Sequence, residues 1–202
     1  MNRKSTPSIE YLSDGALSYF PDFLTPEQAS IYFDELRQSL RWAQSEIRLY
    51  GKTHKIPRLN AWYGESGIRY RYSGTEFEAI PWTPVLADIR ARLIDGFALP
   101  INSVLANYYR SGQDCMGWHA DNEPELGAEP VIATVSLGVT RTLRFRHKRR
   151  EQAAFGVDLA PGSLLIMGPG LQQAWQHSLP KRVNTGARVS LTFRQVVHTG
   201  TN

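Results

Sequence analysis

Hydrophobic positions change period near the middle of the chain. In the first half they recur at helical spacing: Tyr32, Leu36 and Leu40 follow one another four residues apart, with Phe33 beside them. Just before them, Thr25-Pro26-Glu27-Gln28 offers an N-cap, a proline at the first helical position and a glutamine three residues after the cap. Thr83-Pro84 repeats that start signal, Val85, Ile89 and Leu93 form a second apolar stripe, and Gly96 is the expected stop. Beyond residue 100 the texture turns to short β-rich runs: Ser103–Tyr109, Val131–Leu137, Thr142–His147, Ser163–Met167 and Arg188–Val197, punctuated by Gly, Pro and Asn. Helices followed by a strand-rich half predict helices packed on the outside of a sandwich or jelly roll, a mainly β fold with flanking helices.

Composition narrows this picture without changing it. The 202 residues fit one structural domain, and an apolar fraction of 42% excludes a disordered or fibrous chain. No apolar run is long enough to span a bilayer, so no membrane partner is expected. The opening MNRKSTPSIEYLSDG has neither the apolar core of a signal peptide nor the Arg-rich amphipathic character of a transit peptide, which predicts a cytoplasmic protein. One cysteine, Cys115, forbids an internal disulfide and fits a reducing compartment. The net charge of +4 gives a mild bias toward anionic partners.

The chemistry begins at His119-Ala120-Asp121. In an extended segment residues i and i+2 point to the same side, so an imidazole and a carboxylate converge there. His177 is a candidate third ligand. Two histidines and a carboxylate leave coordination positions open for cosubstrate and oxygen, the pattern of non-haem iron(II) oxygenases. His54, His147 and His198 lack this context and read as surface or structural. The strand Arg188-Val189-Ser190-Leu191-Thr192-Phe193-Arg194 splits cleanly at period two, with Val189, Leu191 and Phe193 on one face and Arg188, Ser190, Thr192 and Arg194 on the other. A guanidinium fork pairs with a carboxylate through two parallel hydrogen bonds, so two forks on one face suit a dicarboxylate, whereas a solvated polar face would read the same.

At this point the residues resemble a known family. Asn107-Tyr108-Tyr109-Arg110-Ser111-Gly112-Gln113-Asp114 leading into Trp118-His119-Ala120-Asp121-Asn122-Glu123, then Trp175-Gln176-His177 and the arginine-bearing strand, are similar to the signature of the AlkB Fe(II)- and 2-oxoglutarate-dependent dioxygenases. Pro57-Arg58-Leu59-Asn60-Ala61-Trp62-Tyr63-Gly64 and Tyr70-Arg71-Tyr72-Ser73-Gly74 resemble the DNA-repair branch. The resemblance implies a double-stranded β-helix holding Fe(II) through His119, Asp121 and His177. It implies that Arg188 pairs with the distal carboxylate of 2-oxoglutarate, with Asn107, Tyr109, Thr192 and Arg194 completing that pocket. It divides the chain into an N-terminal extension over 1–20, helices and a nucleotide-recognition lid over 21–100, and the catalytic core over 101–202. The implied reaction consumes O2 and 2-oxoglutarate, hydroxylates the N-alkyl carbon of a base such as 1-methyladenine or 3-methylcytosine, and releases aldehyde, succinate and CO2. The cofactors carry the hard step, so Cys115 is expected to be a bystander.

Substrate contacts follow by the same likeness. Tyr70 and Tyr72 sit where base-stacking residues are found, with Ser73 beside them, and Glu123 matches a carboxylate that contacts the base. A carboxylate among aromatic faces favours the cationic methylated bases. Trp62 is a further candidate, and Tyr50, in Leu49-Tyr50-Gly51-Lys52, would be a wedge entering the base stack. The run from Arg141 to Arg150 concentrates six of the 23 Lys and Arg residues and, with Lys181 and Arg182, is expected to meet phosphates. The partner expected is alkylated DNA, with RNA a further candidate, and the protein is expected to act as a monomer. Two other readings stay open: the same oxygenase chemistry on a protein or small molecule, and a catalytically idle nucleic-acid binder.

Overall fold

The computed structural model describes residues 14–49, 52–72 and 75–197, with backbone only at 47–49, 52, 69–72 and 75–77. In chain order the elements are β1 (Leu17–Phe20), α1 (Pro26–Ser39), β2 (Glu46–Leu49), β3 (Lys52–Lys55), β4 (Leu59–Gly64), β5 (Arg69–Tyr72), β6 (Thr75–Glu78), β7 (Ile80–Pro81) and α2 (Pro84–Phe97). The second half runs β8 (Ser103–Tyr109), β9 (Met116–His119), β10 (Ile132–Gly138), β11 (Arg141–His147), β12 (Phe155–Leu159), β13 (Leu164–Met167), α3 (Leu171–Ala174), β14 (Trp175–Leu179) and β15 (Arg188–Arg194). Among the described residues no helix is long and apolar enough to cross a membrane.

Both long helices begin where the sequence places them. Thr25 caps α1 through a reciprocal capping box: its hydroxyl accepts from the Gln28 N–H, and the Gln28 side chain accepts from the Thr25 N–H. Thr83 caps α2 in the same sense. Its end differs from expectation, because Gly96 stays inside the helix and Ala98 closes it at φ 54°, donating its N–H to the Ile94 carbonyl. The left-handed turn thus falls two residues beyond the glycine, on a residue whose Cβ resists it.

Two sheets form the core. The larger has the order β1-β13-β10-β15-β8-β4-β7, and the smaller has β12-β11-β14-β9. Strands from before residue 100, β1, β4 and β7, therefore belong to the large sheet, and their short apolar runs carry too few residues to show a period. On one face of that sheet α1 and α2 bury Leu36, Leu86, Ile89 and Leu93 against Val104, Val135, Val189, Leu191 and Phe193. Its other face turns toward the small sheet, where Phe145, Leu159, Leu165, Met167 and Trp175 pack together. Two sheets stacked face to face, with helices outside, make the jelly roll that the strand pattern predicts, the double-stranded β-helix implied by the family resemblance. Two antiparallel hairpins, β2–β3 and β5–β6, stand apart from both sheets.

Candidate active site

The site is built on the alternation of β15. All seven of its residues are buried, although every second one is polar. Val189, Leu191 and Phe193 face the helices, and Arg188, Ser190, Thr192 and Arg194 line an open cavity of about 710 Å³ between the two sheets. The neighbouring strands obey the same parity. Register sets Asn107 opposite Ser190 and Tyr109 opposite Arg188, and both Asn107 and Tyr109 line the cavity, as does Thr134 of β10. The polar face that could have met solvent is instead roofed by the small sheet.

Arg188 is 2% exposed and forms no ion pair among the described residues. Its Nη2 donates to Ser136 Oγ at 2.8 Å and to Ser190 Oγ at 3.3 Å, and its guanidinium lies 5.5 Å from the Tyr109 ring centre. Its buried Nε–H has no hydrogen-bond partner there. Burial lowers its pKa to about 10, with the Tyr109 hydroxyl opposing and Arg141 reinforcing the shift. A cation this deep with a spare donor is organised for an anion that enters the cavity. Asn107 is oriented by a buried neighbour, since Arg58 Nε donates to its Oδ1 at 2.8 Å.

The triad comes from the small sheet. His119 ends β9 and His177 lies in the middle of β14, directly paired with it, so the rings are 4.2 Å apart. Asp121 follows β9, and its backbone N–H is held by Gln172 Oε1 at 2.9 Å. The donor atoms of His119, Asp121 and His177 all lie within 4.8 Å of one another. His119 Nδ1 is 2.9 Å from the Gly117 carbonyl, which can only accept, so Nδ1 carries the proton and Nε2 keeps its lone pair. His177 Nε2 is 3.7 Å from Asp121 Oδ2, and Arg194 Nη1 is 3.9 Å from Asp121 Oδ1. Burial pushes the His177 pKa down to about 4, helped by His119 and opposed by Asp121. Burial would raise Asp121, but Arg194, His177, His119 and Arg58 outweigh it and hold the carboxyl below its ordinary range. At neutral pH the cluster therefore offers a carboxylate and neutral imidazole, the donor set of a divalent transition-metal site with open positions.

Other expected residues divide. Glu123 lines the same cavity, and its buried Oε2 has no partner among the described residues. Trp62 is buried under the guanidinium of Arg194, 5.8 Å from its centre, and faces a second cavity of about 750 Å³ that shares Arg58 and Leu105 with the first. Tyr70 and Tyr72 occupy alternate register positions on β5, opposite Phe77 and Thr75. Tyr50 and Ser73 lie outside the described residues.

The basic run needs correction as a uniform patch. It is the alternating strand β11 followed by a turn: Arg141 and His147 are buried, whereas Arg144, Arg149 and Arg150 are exposed. Arg146 donates twice to Gln176 Oε1 and stacks over Trp118 at 4.4 Å. His147 is buried: its Nδ1 accepts the Glu151 N–H, which leaves the proton on Nε2, 3.4 Å from Asp14. Cys115 is a half-buried free thiol. Sequence reading missed Arg58, Thr134, Ser136 and Gln172. Thr134, Ser136 and Gln172 stand in no motif, and only the fold brings the four to the site: Thr134 and Ser136 alternate on β10, and Gln172 lies in α3.

The comparisons with known proteins agree with this geometry. The sequence profile of the 2OG-Fe(II) oxygenase superfamily matches residues 16–194, which sets the class. The chain is 39% identical over 183 residues to the Mus musculus DNA oxidative demethylase ALKBH2, covering 85% of this chain and 77% of that one. It is 37% identical over 187 residues to the Homo sapiens alpha-ketoglutarate-dependent dioxygenase alkB homolog 3, covering 88% of this chain and 65% of that one. Among solved structures, OsALKBH1 superposes over 92% of this chain and 99% of its own with a TM-score of 0.66 at 19% identity, a likeness of fold. The chain belongs to the AlkB family of 2OG-Fe(II) oxygenases.

Proposed function

We propose that this protein oxidatively dealkylates N-alkylated nucleic-acid bases, using Fe(II), O2 and 2-oxoglutarate. The observation that carries the reading is one cavity holding the three donor atoms within 4.8 Å, with a buried arginine donor and a carboxylate oxygen that have no partner among the described residues. When bound, Fe(II) and 2-oxoglutarate supply the oxidation of the N-alkyl carbon by O2, giving aldehyde, succinate and CO2.

In this reading His119, Asp121 and His177 hold the metal. Arg188 takes the distal carboxylate of the cosubstrate through its Nε–H, which has no partner among the described residues, beside Tyr109. Asn107, whose Oδ1 is occupied by Arg58, turns its amide donors the other way, toward the cosubstrate, and Thr192 and Arg194 complete the pocket. Glu123 faces the base, where a cationic methylated ring is its natural counter-ion. Trp62 supports the recognition side, and Tyr70, Tyr72 and Ser73 stack and orient the base, with Tyr50 as the wedge. Arg144, Arg146, Lys181 and Arg182 are offered to phosphates. The names of the relatives support nucleic acid as substrate, and the protein acts as a monomer.

Succinate formation is the test. Purified protein with Fe(II), 2-oxoglutarate and O2 should turn over faster with oligonucleotides carrying 1-methyladenine or 3-methylcytosine than with plain ones. Turnover indifferent to every oligonucleotide would move the substrate to a protein or small molecule, and no turnover under any condition would leave an idle binder.

A further inference from the structure

Arg141 stands behind the cosubstrate pocket and has no place in the reading above. It opens β11, is 2% exposed, and belongs to the small sheet, yet it reaches the ring of Tyr109 on the large one. Its guanidinium carbon is 5.9 Å from the centre of that ring, and Arg188 is 5.5 Å from the same centre. Its N–H groups donate to three backbone carbonyls: Pro180 at 2.7 Å, Asp114 at 3.1 Å and Ser111 at 3.4 Å. These acceptors come from two loops that meet again where the Arg182 N–H donates to the Gly112 carbonyl at 2.8 Å. A Cβ on Gly112 would fall 2.0 Å from the Arg182 carbonyl oxygen, so the loops can close only on glycine.

Carbonyl contacts occupy its Nη donors, its buried Nε–H has no hydrogen-bond partner among the described residues, and no carboxylate among them forms an ion pair with Arg141 or with Arg188. Two buried cations against one phenol ring repel each other, and burial without a counter-ion is costly. The missing anion has a natural place, since Arg188 and Tyr109 line the cavity. We infer that Arg141 is a positioning residue for a dicarboxylate: it fixes the Tyr109 ring from the small sheet and adds its charge to the end of the cavity that receives the distal carboxylate. The inference rests on the cosubstrate reading above.

Two ligands separate the roles. 2-Oxoglutarate chelates a metal and carries a distal carboxylate, whereas pyridine-2-carboxylate chelates but has no distal carboxylate. Each is titrated calorimetrically into the full chain loaded with Mn(II). Arg141→Met should weaken 2-oxoglutarate about tenfold, in line with one charge roughly 10 Å away at an effective dielectric near ~20. Pyridine-2-carboxylate should change by less than about twofold. Arg141→Lys keeps the charge and should fall between wild type and Arg141→Met; it carries the comparison alone if the methionine variant does not fold. Equal weakening of both ligands, or of neither, overturns the inference and leaves Arg141 a loop tie. Failure of wild-type protein to bind 2-oxoglutarate at all overturns the cosubstrate reading instead.

Discussion

At Asp121, burial and charge pull in opposite directions, and charge prevails because Arg194, His177, His119 and Arg58 surround one carboxylate. Removing it should strip the cluster of its anionic donor without touching the exposed basic residues. Asp121→Ala is therefore expected to abolish Mn(II) binding and turnover while affinity for a methylated oligonucleotide stays within a few-fold. A matching collapse of oligonucleotide binding in a polarisation titration would show that Asp121 serves the substrate and not the metal. His177 yields a pH prediction. Its pKa falls from 6.5 in the unfolded chain to about 4 in the fold, so between those values the unfolded state binds a proton that the native state refuses. Stability of metal-free protein is then full above pH 6.5 and is lost as pH falls toward 4, by about 3 kcal/mol at 1.36 kcal/mol per pH unit. Urea melts of chelator-treated protein across pH 4 to 7 should show this slope, and His177→Gln should flatten it; parallel curves would place the ring in a solvated setting. At this scale the triad and the arginine pair were legible because they stand in motifs that resemble a known family, while their spacing alone left a solvated face open. Arg58, Ser136 and Gln172 were not, since each acts through one contact that only folding creates.

The element that joins stability to chemistry is β15, polar and apolar by turns and buried on both faces. Its period announced two faces, but a sequence cannot say whether a polar face meets water or a second sheet; that depends on β9, β11 and β14, whose register lies in distant pairings. The same blindness made the stretch from Arg141 to Arg150 read as a charge cluster, when alternate residues of β11 point into the core. Helix starts were legible for the opposite reason, because a cap acts within three residues of itself. The two faces of β15 should be separable. Phe193→Ala opens a cavity under the helices and is expected to cost roughly 3–5 kcal/mol in denaturant melts while the folded protein keeps its 2-oxoglutarate affinity. A large loss of that affinity would mean that the helix-side packing also sets the arginine geometry. At the end of α2, Ala98 at φ 54° is strained where glycine would not be, so Ala98→Gly should raise stability by up to about 1 kcal/mol. A lower melting temperature in that variant would show that the left-handed turn costs nothing there.

Across the whole molecule, the sandwich separates two kinds of positive charge. Arg188, Arg194 and Arg141 are enclosed between or against the sheets, while Arg144, Lys181 and Arg182 are exposed to solvent. The chain reads as mildly basic overall, and its net charge of +4 conceals this division. Salt should tell the two apart. Exposed cations that meet phosphates release counter-ions, so the affinity for a methylated single-stranded oligonucleotide should fall log-linearly with salt, by a slope near −0.7 per contact. Buried cations are shielded from the ionic atmosphere, so the 2-oxoglutarate affinity of the same protein should change far less over the same range. Replacing Arg144 and Lys181 by alanine should cut the oligonucleotide slope by roughly 0.7 for each true contact and leave the cosubstrate titration unchanged. An unaltered slope in the double variant would take both residues off the nucleic-acid path, and would shift the search for phosphate contacts to Arg146, which Gln176 and Trp118 hold in place.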